Sequence, residues 1–594
     1  MVQNIIMSLD EARRVCEVDN VNHSDDFVQK NVHQCYYACN AWLCMALDMG
    51  VYTPYVYELR ECLCEFGLAQ MVEAGVSMSE GLLEGLAQVA SDSNYCQRWA
   101  ARYATHRGPE HPLSLIADQF CNDGSTQDVV VKRILQFFLF LERFTYYDRA
   151  EVQKTYDKFL QTNRRCKQMF SAKYRWDSEI SYPGETLLSW VREELAMLFD
   201  ASAWDFSPLD RSFSAGSNSD AGRDYAAKWV EVTKYFPGYK ALRDCALPVE
   251  ETWLPIPENV PTLMAVPKTM TSKRIIAPEN VLSSWNSSSV LEGLRRMNIR
   301  TGASSYINEE DQTINRDHAR VGSLTGEWAT IDMSSASDSI SKTVFFDCLP
   351  SAFSYVYRCL TSHWCRLRVD GVDTKVRLHS LLTSGNRCTW LTEAMWFVAL
   401  GRVGTWLAGG SPESVFAYGD DLIVPSGAYE TVCEVLEALG HTVNRRKSYG
   451  SGCFRESCGG WYFQGVDVTP TFWPRRVVLQ RDCLEVLCHL QRAFFHQPMM
   501  RTFFEECAVC LNPRISHSPY GDECDDLWDL ELLPEVSDRV KHWHPKERHL
   551  EHDRTPLIEA VTYFEYLEYG PLYLDGLDEL VGVSSSRLDR YYLK

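Results

Sequence analysis

The feature that most constrains this chain is a glycine followed by two aspartates, Gly419, Asp420 and Asp421, set between two short apolar runs, Val415 to Tyr418 and Leu422 to Val424. Apolar runs on either side of a Gly-Asp turn predict a β-hairpin. Adjacent carboxylates at its tip raise one another's pKa unless a cation neutralises them. A divalent metal meets that need, since magnesium takes a few carboxylate oxygens and completes its shell with water and substrate phosphate. The competing reading is a polar surface turn with no chemistry in it.

The flanking segments separate the two readings. Trp328 to Asp332 (WATID) predicts a short buried strand ending in a carboxylate, and Thr389 to Leu407 an apolar helix stopped by Gly409 and Gly410. Val432, Val435, Leu436 and Leu439 form one helix face closed by Gly440, and Thr442 to Val443 begins a last strand. The order strand, helix, strand, strand, helix, strand predicts an antiparallel sheet with helices on one face. A strand beside the hairpin brings Asp332 close to Asp420, and three such carboxylates can hold two metals for in-line phosphoryl transfer.

Composition bounds the rest. The chain has 594 residues, 45% hydrophobic and 23% charged, which excludes a mainly disordered protein and a single small binding module. At roughly 100 to 200 residues per domain the length predicts about three to five lobes. With 59 Lys+Arg against 80 Asp+Glu the net charge is −21, which disfavours a protein that coats nucleic acid, though not a local basic channel. From Arg501 to Lys594 there are 20 Asp+Glu and 10 Lys+Arg, so the acidity is concentrated in a C-terminal segment expected to face solvent or a partner.

The start lacks the pattern of a secretory signal, and the most apolar helical stretch, Val129 to Phe144, carries Lys132, Arg133, Gln136 and Glu142. No membrane segment and a cytoplasmic location are therefore expected, with the 22 cysteines mostly reduced. The first 200 residues read as mainly helical, and Ser212 to Gly222 as an exposed loop or domain connector. Between Met264 and Arg300, Lys268, Lys273, Arg274, Arg295, Arg296 and Arg300 stand against only Glu279 and Glu292.

With these residues in hand, the sequence resembles the RNA-directed RNA polymerases, most closely the replicase catalytic (beta) subunit of the positive-strand RNA bacteriophages, the leviviruses. Ala329 to Ser341 (ATIDMSSASDSIS) is similar to that family's first palm motif and Phe416 to Pro425 (FAYGDDLIVP) to its catalytic hairpin. Phe454 to Gly459 (FRESCG), Gly465 to Pro470 (GVDVTP), Asp311 to Asn315 (DQTIN) and the basic fingers motif Val266 to Arg274 (VPKTMTSKR) resemble further blocks, in family order. The resemblance implies an α+β right-hand polymerase of fingers, palm and thumb, with an antiparallel palm sheet packed on helices. Residues 1–250 would form a mainly helical N-terminal region and part of the fingers, 251–324 a fingers segment with the basic motif, 325–475 the palm, and 476–594 the thumb and acidic C-terminal region.

Carried over by position, Asp332, Asp420 and Asp421 would bind two Mg2+ ions, with Mn2+ as a possible substitute. Asp338 would face the incoming ribose, its competing reading being an N-cap for the next helix. Lys268, Lys273 and Arg274 would neutralise the triphosphate, the competing reading being a solvated basic loop. Ser384 and Gly385 resemble the start of the second palm motif, and Glu393 stands where many viral polymerases have an asparagine that reads the 2′-hydroxyl. Lys447, after Arg445 and Arg446, resembles a lysine that protonates pyrophosphate, and Arg455 either supports the palm or contacts product. His542, His544, His549 and His552, and the Cys507 and Cys510 pair, lack a second ligand pair at metal-site spacing and read as structural.

The resemblance further implies RNA template and product, nucleoside triphosphates, host elongation factors Tu and Ts, a large small-subunit ribosomal protein, and action in the cytoplasm of an infected bacterium. Two rivals remain at this stage. One is a reverse transcriptase, and the other a non-catalytic RNA-binding or assembly subunit on a polymerase-like scaffold.

Overall fold

The computed structural model describes residues 5–19, 25–88, 94–107, 110–144, 149–179, 187–205, 211–214, 216–233, 259–270, 272–369, 372–473 and 498–500. The segment expected to form the thumb and acidic tail, 476–594, lies outside the described residues except for 498–500. So do His542, His544, His549, His552, Cys507 and Cys510.

The N-terminal part is helical, as its sequence predicts: α1 (Leu9–Asp19), α2 (Asp25–Asp48), α3 (Thr53–Phe66), α4 (Leu68–Leu86), α5 (Tyr95–Arg107), α6 (Pro112–Asn122) and α7 (Gln127–Leu139). Local chemistry sets several starts. Pro112 occupies the first turn of α6, where its missing N–H costs nothing, and the His111 ring accepts from Leu113 N–H at 3.3 Å. The orphan N–H groups of Leu68 and Ala69 at the start of α4 both reach the Asp19 carboxylate at 3.0 Å. Trp42, Phe120, Phe137 and Phe138 fill the bundle core, which continues into Tyr449, Phe454, Trp461 and Phe463 some 300 residues later. None of the described helices is long and apolar enough to cross a membrane.

The next helices are α8 (Arg149–Glu179), α9 (Leu187–Leu198) and α10 (Tyr225–Thr233), followed by strands β1 (Thr262–Pro267) and β2 (Lys273–Ile276) and helices α11 (Val281–Arg300) and α12 (Thr313–Thr325). The expected connector Ser212 to Gly222 is a pinned loop in its described residues. Ser212 N–H donates to Ser288 Oγ, Arg387 donates to the Ser212 carbonyl, the fully buried Lys228 ammonium sits on the Ser214 and Gly216 carbonyls, and Asp220 caps Val281 N–H. Polar loops reach this state when hydrogen bonds rather than apolar burial fix them, a distinction that composition does not carry.

The region that carries the paired aspartates follows as β3 (Trp328–Ile331), α13 (Ala336–Ser339), α14 (Lys342–Cys348), α15 (Ser351–Leu360), β4 (Trp364–Val369), β5 (Val372–Arg377), α16 (Thr389–Leu407), β6 (Phe416–Tyr418), β7 (Asp421–Pro425), α17 (Tyr429–Ala438), β8 (Phe454–Ser457), β9 (Gly460–Phe463) and β10 (Val466–Asp467). The expected antiparallel sheet is present, in the order β3-β7-β6, mixed with packed helices as an α+β fold requires. A second sheet, β2-β1-β4-β5, contains one parallel pair, β1 with β4.

Two details differ from the sequence reading. Ala329, Ile331, Ala417, Leu422 and Val424 face α16 and α17 in one core, while α12 covers the opposite face, where His318 stacks on Phe416 and meets Trp328 edge-on. The strands are apolar on both sides, and a sheet with two apolar faces needs two covers. The expected last strand at Thr442–Val443 is a single bridge to Met333. Backbone bonds from Ser334 N–H to the Thr442 carbonyl and from Asn444 N–H to the Asp332 carbonyl hold that segment, with the side chains of Asn444 and Ser448 beside them.

Candidate catalytic centre

The register of the central sheet sets the site. Ile331 pairs with Leu422 and Trp328 with Pro425, so Asp332, one residue beyond β3, is directed toward Asp421 at the start of β7. Tyr418 pairs with Asp421, leaving a two-residue turn of Gly419 and Asp420. Gly419 has φ of +62°, as the first turn position of this tight hairpin requires, and a side chain there would also strike the Trp390 indole at 2.7 Å. Asp421 is therefore a strand residue and Asp420 alone sits in the turn.

Protein donors fix two of the three carboxylates. Asn444 donates from Nδ2 to Asp332 Oδ2 at 2.7 Å, and Asp332 N–H donates to Ser448 Oγ at 3.0 Å. The Cys458 N–H donates to Asp421 Oδ2 at 3.0 Å, and Asn315 Nδ2 to the Asp421 carbonyl at 3.0 Å. Burial pushes all three pKa values up. Mutual repulsion adds to this at Asp332 and at Asp421, which is pushed to about 7. Among the described residues no three His, Cys, Asp or Glu side chains are already gathered as a closed ligand set. The donor chemistry nonetheless fits a hard divalent cation: oxygen ligands only, positioned by second partners, and carrying a repulsion that a cation removes.

Cations surround the acids unevenly. Lys268 and Arg274 both act on Asp420, and Lys268 and Lys447 act on Asp332. Partial shielding from water, followed by its cationic neighbours Arg274 and Lys447, lowers the Lys268 pKa. Burial alone would lower Lys447 too, but Glu456, Glu142, Asp332 and Glu80 outweigh it and hold the ammonium above its ordinary value. Lys273 is one residue from Arg274 on β2, so it lies on the opposite face of the strand, the face shared with buried Ile275. The structure thus gathers Lys268, Arg274 and Lys447 and sets Lys273 apart.

Asp338 lies inside the short helix α13, whose N-cap position is Ser335, and Ser341 holds the N-cap position of the next helix. The N-cap reading of Asp338 therefore fails. Its side chain is 8% exposed, one carboxylate oxygen has no partner, and burial pushes its pKa to about 7. Glu393 on α16 is equally buried, and burial, Asp420 and Asp338 push its pKa well up. Ser384 is joined to the first motif by its hydroxyl contact with Ser337 at 2.9 Å, and its carbonyl accepts from Ala277 N–H. Gly385 packs so tightly on Ala277 that a Cβ would come within 2.1 Å of that carbonyl oxygen.

A comparison with protein families matches residues 141–497, more than half of this chain, to the family described as RNA replicase, beta-chain. The chain belongs to that family. Among curated relatives it is 32% identical over 382 residues to the RNA-directed RNA polymerase subunit beta of Qbeta virus (strain MX1), covering 58% of this chain and 62% of that protein. It is 42% identical over 167 residues to the RNA-directed RNA polymerase beta chain of Escherichia phage MS2, covering 28% and 30%. The match to the Qbeta protein thus spans about three fifths of that relative's length. Among solved structures, an insertion-loop deletion mutant of the RNA-dependent RNA polymerase of a human picorbirnavirus aligns with a TM-score of 0.39 at 12% identity, over 69% of this chain and 88% of that one.

Several residues of this replicase-family chain escaped the sequence reading. Asn315 and Cys458 lie in the DQTIN and FRESCG blocks, yet only the fold brings them to Asp421. Asn444 was overshadowed by the basic run that follows it. Glu279, fully buried, accepts from Asn386 Nδ2 on both oxygens at 3.1 Å and from Asn259 at 3.1 Å, joining the end of the basic strand to the loop that holds Ser384 and Gly385. Buried His441 accepts from the Trp396 indole at 2.9 Å, so its other nitrogen carries the proton and donates to Ser339 beside Asp338 at 2.7 Å. The Arg455 alternatives are resolved in favour of support. Its guanidinium is fully buried on the carbonyls of Trp328, Ser451, Gly452 and Phe454.

Proposed function

We propose that this chain is an RNA-directed RNA polymerase, the catalytic subunit that replicates and transcribes a positive-strand RNA phage genome, with residues 325–475 as its palm and the basic strands β1 and β2 as part of its fingers. The observation that carries the reading is the meeting of Asp332, Asp420 and Asp421 at the ends of adjacent strands, with Lys268, Arg274 and Lys447 acting on them. The reaction is attack of an RNA 3′-hydroxyl on the α-phosphorus of a nucleoside triphosphate. One P–O bond forms, the bond to the β-phosphate breaks, the hydroxyl proton is lost and pyrophosphate leaves.

Asp332, Asp420 and Asp421 would hold two Mg2+ ions, or Mn2+ in their place, which when bound lower the pKa of the attacking hydroxyl and neutralise the leaving group. Lys268 and Arg274 bind the triphosphate, while Lys273 supports their strand. Lys447 is protonated at neutral pH. Once the carboxylates around it are neutralised its pKa falls, and its proton can pass to pyrophosphate. Asp338 accepts from the ribose with its unpartnered oxygen, and Glu393, kept neutral by burial, can donate to a second ribose hydroxyl. Ser384 and Gly385 hold the loop beneath them. Host elongation factors Tu and Ts and a large small-subunit ribosomal protein are proposed as companions of the subunit in the cytoplasm of the infected bacterium.

The test is magnesium-dependent incorporation of labelled ribonucleotides on an RNA template by the native chain and by Asp420→Asn, each alone and with bacterial elongation factors. Incorporation that collapses in the variant supports the reading. Equal incorporation by both chains sinks it, and so does RNA binding without incorporation under every condition.

A further inference from the structure

One fully buried carboxylate takes no part in the chemistry above. Glu279 follows strand β2 by three residues, and among the described residues no cation pairs with it. Its partners are two amides. Asn386 Nδ2 donates to both of its oxygens at 3.1 Å, and Asn259 Nδ2 donates to Oε1 at 3.1 Å and to Ser362 Oγ at 2.9 Å. Burial pushes its pKa up to about 7 against those donors. A buried charge without a counter-ion carries a large desolvation penalty, and an apolar contact would join the same segments without it. What a carboxylate adds is an acceptor-only group, which fixes the orientation of each donor that faces it.

The donor so fixed belongs to the loop that carries Ser384 and Gly385. The Asn386 amide is oriented by its own bonds, because Oδ1 accepts from Cys388 N–H at 2.9 Å and leaves Nδ2 for Glu279. Asn386 also shapes the loop: its N–H donates to the Thr383 carbonyl at 3.1 Å, and its carbonyl accepts from Thr389 N–H at 3.2 Å, at the first turn of α16. Two residues before Glu279, Ala277 N–H donates to the Ser384 carbonyl at 2.8 Å. The segment after β2 thus grips the loop at two points, Ala277 with Ser384 and Glu279 with Asn386. The backbone at Glu279 is anchored separately, since its carbonyl accepts from Ser219 N–H at 3.0 Å and from Asn218 Nδ2 at 3.3 Å. Replacing the side chain therefore releases the loop and leaves the strand in place.

We propose that Glu279 is a positioning residue for ribose selection, which through Asn386 fixes the loop of Ser384 against the strand of Arg274. The inference rests on the polymerase reading, in which Arg274 meets the triphosphate and Asp338 and Glu393 meet the sugar. Ser384 reaches the sugar side through its hydroxyl contact with Ser337, next to Asp338, and the loop leads into α16, which bears Glu393. One nucleotide is satisfied at both ends only when strand and loop keep one spacing. A ribonucleotide loses its 2′-hydroxyl contact when that spacing slips, whereas a deoxyribonucleotide has none to lose. Affinity for the ribonucleotide and the preference for it therefore fall together.

The test is steady-state incorporation of ribo- and deoxyribonucleoside triphosphates on an RNA template by the full chain with bacterial elongation factors present. It compares the native protein, Glu279→Gln, Asn386→Asp and the double exchange Glu279→Gln/Asn386→Asp. Each single variant sets like groups face to face, two amide donors in the first and two carboxylates in the second. In the exchange the amide at 279 donates to the carboxylate at 386, which still accepts from Cys388 N–H. Each single variant should raise the ribonucleotide KM by roughly 10- to 100-fold with kcat little changed, and lower the ribose preference by a similar factor. The exchange should return both toward native values. Native KM and native preference in the single variants overturn the inference and leave the polymerase reading intact. A fall in kcat or in stability alone makes the contact purely structural and overturns it too, as does a folded exchange variant that restores neither quantity. If the amide variant does not fold, Glu279→Asp, which keeps the charge and shortens the reach by one methylene, carries the same two outcomes. A native chain that incorporates no nucleotide sinks the polymerase reading and this inference with it.

Discussion

At the residue scale the site depends on partners that carry no charge of their own. Asn444 holds one oxygen of Asp332, and such outer partners of metal-binding groups are commonly worth 10- to 100-fold in affinity or activity. Asn444→Ala should therefore lower nucleotide incorporation by roughly 10- to 100-fold with an unchanged circular dichroism spectrum, and a loss under twofold would remove Asn444 from the site. His441 gives a pH signature. Burial, followed by the Arg165 charge, lowers its pKa from 6.5 to about 3, so below pH 6.5 the unfolded chain binds a proton that the folded chain refuses. This contribution to stability is intact above about pH 6.5 and is lost by up to about 1.4 kcal/mol per pH unit as pH falls toward 3. Urea unfolding at pH 7 and pH 5.5 should show the native chain losing more stability than His441→Gln over that interval. Parallel curves would contradict a neutral buried imidazole.

At the element scale the close approach of α16 and α17 matters most. A Cβ on Gly404 would come within 2.7 Å of the Val432 Cα, a backbone atom that cannot swing aside. Gly404→Ala therefore gains helix propensity worth about 1 kcal/mol but overpacks the helix pair by about 1–3 kcal/mol. The expected result is a net loss near 1 kcal/mol in denaturant unfolding, with slower nucleotide incorporation because α16 carries Glu393 and backs the catalytic hairpin. A more stable, fully active variant would show that the two helices separate freely. The β8-β9 hairpin acts across elements in a similar way. Its Cys458-Gly459 turn has two positive φ angles, 51° and 70°, as a tight two-residue turn of this kind requires, and this aims the Cys458 N–H at Asp421.

At the scale of the whole molecule the N-terminal bundle shares its core with the β8-β9 hairpin, which in turn contacts the sheet of the paired aspartates. Phe454 and Phe463 are fully buried in the cluster that contains Trp42 and Phe137, so the bundle braces the hairpin that braces Asp421. Phe454→Ala should cost about 3–5 kcal/mol and uncouple the bundle from the sheet. Calorimetry would then resolve two transitions where the native bundle and sheet melt together, and an unsplit transition at the native temperature would disprove the coupling. The sequence by itself determined the local order around the catalytic hairpin. Thr389–Leu407 is a helix over the range its apolar run and closing glycines predict, and the WATID strand and Gly-Asp turn are where short-range patterning puts them. It also selected Asp332, Asp420 and Asp421, because carboxylates at strand ends are a property of adjacent residues. Only the tertiary structure decided that Lys273 faces away from Arg274's side of the strand, that Ser212 to Gly222 is a pinned loop, and that Asn315, Asn444, Cys458 and Glu279 hold the site. Those roles depend on hydrogen bonds between residues up to 175 positions apart, as between Arg387 and Ser212, and no periodicity in a single chain encodes such a distance. Patterning reports which face of an element is apolar, whereas the partner of a polar side chain is set by how the elements pack.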